Sequence, residues 1–175
     1  MMPERQGIDE VTLARGWIEW LAATRTGYLD TLLKLPETER LKDRGASFPS
    51  LLDIFLHILD NNVWWFESVP QNRQEAHAGV EGHRSDAEIR QQARHVEEIG
   101  RHIAQSLTPA RLDERFVVRG MEAGVKPFEM KVDLRTIIWH MVEEELQPQG
   151  GMNALFWQLD VDAPTRAWFS SPLAE

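Results

Sequence analysis

Residues 47–66 read SFPSLLDIFLHILDNNVWWF, and this stretch decides the fold class. Leu51, Leu52, Ile54, Phe55, Leu56, Ile58, Leu59, Val63, Trp64, Trp65 and Phe66 put apolar groups nearly all round a helix. The spacing predicts a helix over about 48–67 that is enclosed on several sides, with Ser47 as N-cap and Pro49 in its first turn. Such an element needs other helices around it. Upstream, Val11, Ala14, Ile18, Leu21, Tyr28, Leu32 and Leu35 recur at three- and four-residue spacing with a polar gap at Arg25, which predicts a long amphipathic helix over 8–35. Pro36, the charged run to Arg44 and Gly45 connect the two.

Downstream, 70–84 (PQNRQEAHAGVEGHR) is polar and without period, and reads as a loop or crossover. Ser85 with Glu88 forms a capping box that opens a third helix reaching about Leu107. Its stripe of Ile89, Val96, Ile99 and Ile103 faces inward, and Arg90, Arg94, Glu97, Glu98 and Arg101 face water. Short alternating runs at 115–120 (RFVVRG) and 127–132 (PFEMKV), set around Gly120 and Gly124, suggest a small β-hairpin. Asp133 caps a fourth helical pattern from Ile137 to Leu159, and residues 160–175 read as extended. The expected fold is therefore all-α, a four-helix bundle over 1–175 as one domain, with a small hairpin between the third and fourth helices.

Composition narrows the function. The chain has 175 residues and a net charge of −9, which argues against a phosphate-neutralising surface for nucleic acid or an anionic bilayer. It has no cysteine, so disulfides, thiolate metal sites and cysteine nucleophiles are excluded, in keeping with a cytoplasmic protein. The N-terminal MMPERQGIDE lacks an apolar core, and Asp53, His57, Asp60, Asn61 and Asn62 interrupt the most apolar run, so neither secretion nor a membrane span is expected.

Chemistry can sit where polar residues fall on faces that must be buried. On the fourth helix, Ile137, Met141, Glu144, Pro148, Met152, Leu155 and Leu159 trace one inward stripe, and Glu144 is the only glutamate of Glu143–Glu145 placed on it. His140 lies one turn before Glu144. On the second helix His57 stands among Ile54, Phe55, Ile58 and Leu59, and is the natural partner. Imidazole and carboxylate from facing helices are acceptable ligands for zinc, nickel, manganese or iron. The same residues also read as a hydrogen-bonded or ionic pair without any ion. His77, His83, His95 and His102 fall on polar segments and are assigned no role. Trp17, Trp20, Trp64, Trp65, Trp139, Trp157 and Trp168 read as core and interface filler, with Trp64, Trp65, Phe156 and Trp157 suited to a homodimer seam.

In two stretches, SFPSLLDIFLHILDNNVWWF at 47–66 and IIWHMVEEELQPQGGMNALFWQLDVDAP at 137–164, and in the order of its four helices, the chain resembles the DinB/YfiT-like family of bacterial four-helix proteins. The resemblance implies an up-down-down-up bundle, a homodimer as is frequent in the family, and a divalent metal held by one histidine of the second helix and two ligands a turn apart on the fourth. Some members are thiol-dependent transferases or hydrolase-like enzymes. His57 matches the second-helix ligand and Glu144 the first on the fourth helix. The third position falls on Pro148, where the family usually carries histidine. Proline offers no ligand and removes the hydrogen bond to the Glu144 carbonyl, so the helix is expected to kink or restart there. Three outcomes stay open: rescue by His140 as third ligand, a weak two-ligand site completed by water, or a metal-free pocket that binds a small molecule.

Overall fold

The computed structural model describes residues 9–45, 48–74, 84–122 and 126–164. The expected N-cap Ser47, the turn glycine Gly124, His77, His83, Trp168 and most of the extended tail lie outside these residues. The chain forms α1 (Glu10–Lys34), a single turn α2 (Glu37–Arg40), α3 (Leu51–Val63), a π-helical turn (Trp64–Ser68), α4 (Asp86–Ser106), a second single turn α5 (Pro109–Leu112), strands β1 (Arg115–Glu122) and β2 (Lys126–Asp133), and α6 (Leu134–Gln158). The fold is mainly α with one antiparallel hairpin.

Each long helix starts on a side-chain cap. Asp9 accepts the Thr12 amide at 3.0 Å, and Asp133 accepts the Thr136 amide at 2.8 Å. The capping box on α4 forms in both directions, Glu88 N–H to Ser85 Oγ and Ser85 N–H to Glu88 Oε2. On α3 the cap is Ser50, which accepts the Asp53 amide at 3.2 Å, so the regular helix starts about three residues later than the apolar run suggests. It also ends earlier. At Trp64 the ladder shifts to π spacing, closed by the Val69 amide on the Trp64 carbonyl at 2.9 Å. In the hairpin, Arg115 pairs with Asp133 and Glu122 with Lys126. At Gly120 a Cβ would lie 2.8 Å from the Phe128 ring, so a larger residue there would displace that ring.

The fourth helix corrects the expected restart. α6 runs through Pro148 without a restart. A proline inside a helix costs roughly 3 kcal/mol, whereas burying a large apolar side chain contributes about 1.5–3 kcal/mol. Ile137, Ile138 and Met141 before the proline and Met152, Leu155 and Phe156 after it are all buried on one side, so docking outweighs the break. Full burial of Phe156 also removes it from any dimer seam.

The apolar core is divided. One cluster gathers Tyr28, Leu32, Phe55, Leu59, Met152 and Phe156 toward one end. The other gathers Ile18, Phe66, Ile103, Val118, Ile137 and Met141 toward the hairpin end. Between them in sequence along α1, α3 and α6 lie the buried polar residues Arg25, Asn62, Glu145 and Gln149. The polar gap at Arg25 is thus a core position. No described helix is long and apolar enough to cross a membrane.

Candidate functional site

α3 and α6 pack against one another. On α3, His57 and Asn61 are four residues apart and share a face; on α6, His140, Glu144 and Pro148 do the same. The Asn61 amide nitrogen lies 3.0 Å from His57 Nε2 and donates to Glu144 Oε2 at 3.0 Å. His57 Nε2 and Glu144 Oε2 are 3.7 Å apart, with the amide nitrogen between them. On the other carboxylate oxygen, His140 Nε2 stands 3.9 Å from Glu144 Oε1. The structure therefore brings together all three residues expected to form a site.

Aromatic rings flank both imidazoles. The Phe48 ring centroid is 4.3 Å from that of His57, and Trp65, carried by the π-helical turn, meets His140 edge-on at 4.8 Å. The π turn follows α3 directly and holds Trp65 against the site, a frequent use of such turns. Beside His57 and Glu144 opens a cleft of about 170 Å³, walled by Phe48, Ile54, Gln147 and Pro148, with Gly151 on its α6 side. A Cβ on Gly151 would meet nothing, so that side is open.

The placement of the glutamates differs from expectation. Glu145 is the buried one, 1% exposed, while the Glu144 side chain remains 32% exposed. From Met141 the inward stripe advances by four residues to Glu145 and again to Gln149, then by three to Met152. A helix of 3.6 residues per turn permits either that route or the one through Glu144 and Pro148. The partner decides between them. The Arg25 guanidinium pairs with Glu145 Oε2, Asn62 donates to the same oxygen at 3.4 Å, and Gln149 donates to Oε1 at 3.3 Å. Burial pushes the Glu145 carboxyl up from its ordinary value, opposed by the Arg25 charge and these hydrogen bonds. Arg25 stands 120 residues away in sequence, so only the i, i+4 pair Glu145–Gln149 hinted at a second polar face. Asn61, which in the sequence only interrupts the most apolar run, bridges His57 and Glu144.

The donor set suits a divalent ion in type but not in position. Zinc bonds of about 2.0–2.2 Å in a tetrahedron put ligand atoms about 3.4 Å apart. The gaps here are 3.7 and 3.9 Å, on two different oxygens. The first is spanned by the Asn61 amide, and Pro148 supplies no ligand. Among the described residues, no group of three or more His, Cys, Asp or Glu side chains has metal-holding spacing. The residues as they stand do not fit a bound ion. Of the remaining histidines, His102 is exposed, and His95 forms a surface contact, 2.6 Å from Glu67 Oε2 on the π turn.

No family model matches the chain, and no curated protein matches it.

Proposed function

We propose that the chain is a DinB/YfiT-like four-helix bundle, with α1, α3, α4 and α6 as its up-down-down-up helices, whose degenerate divalent-metal site serves as a small-molecule-binding cleft. The observation that carries this reading is the Asn61 amide nitrogen, 3.0 Å from both His57 Nε2 and Glu144 Oε2, in the gap between two residues that the family resemblance makes ligands. An amide N–H₂ satisfies an imidazole and a carboxylate without any ion. Pro148 at the third position acts in the same direction.

The test is metal content and calorimetric titration with zinc, nickel and manganese. The expected result is substoichiometric metal in the purified protein and weak binding. A Pro148→His variant, which restores the third ligand, gains at least about tenfold in affinity, in line with the size of ligand-shell effects. A tightly held ion, one per chain and lost in His57→Ala, overturns the reading.

A second reading is favoured by His140, whose Nε2 is 3.9 Å from Glu144 Oε1 and supplies a second imidazole. In that case, after a shift of these side chains from their present spacing, His57 and Glu144, with His140 or water completing the site, would hold the ion of a metal-dependent hydrolase or thiol-transferase, and the ion would supply Lewis acidity toward a water or a thiol. We also propose a cytoplasmic homodimer, the dimer because the resembling family frequently forms one and the compartment because the chain has no cysteine. On α6, Trp157 is 69% exposed and Leu146 partly so, which gives a dimer an apolar surface to cover. Light scattering showing a concentration-independent mass of one chain, 20.2 kDa, rejects the dimer.

A further inference from the structure

α1 and α4 pack along one another, and a groove opens on their seam that shares no residue with the cleft at Glu144. One end, of about 330 Å³, has a floor of Ile18, Ala22, Ala23, Gly100 and Ala104. The other end, of about 140 Å³, is lined by Arg25, Arg90 and Arg94, with Asp30 beside them. Ala22, Thr26 and Glu97 belong to both, so the apolar end and the cationic end adjoin.

The acids of the groove are already engaged. Asp30 faces Arg90 at 3.6 Å, and Glu97 faces Arg101 at 3.5 Å. Arg94 forms no ion pair among the described residues. Arg25 is only 7% exposed, and its Nη1 meets Glu145. Its Nη2 lies 3.9 Å from the place that a Cβ would take on Gly100, at the groove wall, and among the described residues neither Nη2 nor Nε makes a hydrogen bond. Withdrawn N–H groups of a guanidinium are costly to leave unmatched, and an acceptor is the partner they call for.

We propose that this groove binds an aliphatic monocarboxylate, its head group at Arg25 and Arg94 and its chain over Ile18, Ala22 and Ala104. A guanidinium presents N–H donors in the fork that a carboxylate fits, and the small side chains of the floor leave room for methylene groups to pack. Arg25 and Ile18 are seven residues apart on α1, about 10 Å at 1.5 Å per residue, which suits a chain of about eight carbons. The protein's net charge of −9 gives an anion no long-range attraction, so selectivity rests on contacts inside the groove.

Calorimetric titration of the full chain with octanoate, and with 1-octanol as the uncharged counterpart, tests the proposal. Saturable 1:1 binding of octanoate is expected, at least about tenfold tighter than octanol, the scale of a hydrogen bond to a charged group. Arg94→Gln, at an exposed position, is expected to weaken octanoate by about tenfold without lowering the melting temperature. Ala22→Phe, which fills the groove where its two ends meet, is expected to abolish binding, and Glu144→Gln to leave it unchanged. Absence of saturable octanoate binding, equal binding of octanol, or an affinity unchanged in Arg94→Gln or Ala22→Phe overturns the proposal. A response to Glu144→Gln does so too, because it would put the ligand in the other cleft.

Discussion

Glu144 and Glu145 are neighbours on one helix with the same side chain, and they belong to different regions of the molecule. Glu145 enters a dry layer between two apolar clusters, where Arg25, Asn62 and Gln149 occupy both of its oxygens. Glu144 faces a half-exposed cluster, where it meets one amide and two imidazoles and, among the described residues, no guanidinium. The difference shows how a helix separates a buried charge from a half-exposed one. A turn of 100° per residue lets two adjacent carboxylates enter media of different polarity. In the dry medium a charge must be matched in full, whereas at the wet edge it can be left partly unmatched and offered to a ligand.

The largest expected effect breaks the buried side of this comparison. Arg25→Ala leaves Glu145 as an uncompensated buried carboxylate and is expected to cost about 3–5 kcal/mol in urea denaturation. Replacing the pair together, as in Arg25→Met with Glu145→Leu, is expected to recover most of that loss, because apolar side chains of similar volume can fill such a layer. If the double variant is as unstable as the single one, the layer does more than balance charge.

A smaller effect of opposite sign sharpens the other side. Pro148→Ala returns an N–H to the Glu144 carbonyl in a helix already docked at both ends, and is expected to stabilise the fold by about 1 kcal/mol, with roughly 3 kcal/mol as the ceiling. A fall in stability shows instead that the proline ring packs where alanine cannot.

The smallest concerns the start of the helix that carries both glutamates. Hydrogen bonds from the Thr136 hydroxyl and amide hold the Asp133 carboxyl below its ordinary value. A depressed carboxyl contributes stability that is fully present above the ordinary aspartate value near pH 4 and is lost as pH falls through the lowered one. Asp133→Ala is expected to cost about 1 kcal/mol at neutral pH, and the gap to wild type to close on acidification. A gap that stays constant down to acid pH assigns the loss to helix propensity and not to the cap.

Much of this architecture is legible in the sequence because it depends on local signals. The capping box at Ser85–Glu88, the cap at Asp133, the apolar face of residues 51–66 and the alternation of 115–120 and 127–132 all act within a few residues of where they are read. His57, His140 and Glu144 also emerge, because polar groups at helical spacing amid apolar ones are conspicuous. What stays hidden depends on partners far along the chain. Arg25 looks like a break in an amphipathic stripe until Glu145 is placed opposite it. The stripe on α6 can advance through Glu144 or Glu145 with equal helical geometry, and only the guanidinium on α1 selects one. Pro148 misleads for a related reason, since its local cost is visible in sequence while the docking that offsets it is spread over six apolar side chains.

The division of labour between the two glutamates is tested most directly by comparing Glu144→Gln with Glu145→Gln in urea denaturation at neutral pH. Both substitutions keep the shape and remove one negative charge. Glu145→Gln is expected to lose about 3–5 kcal/mol by stranding the Arg25 charge, and Glu144→Gln to stay within about 1 kcal/mol of wild type. Equal losses, or a larger loss at Glu144, would contradict the account.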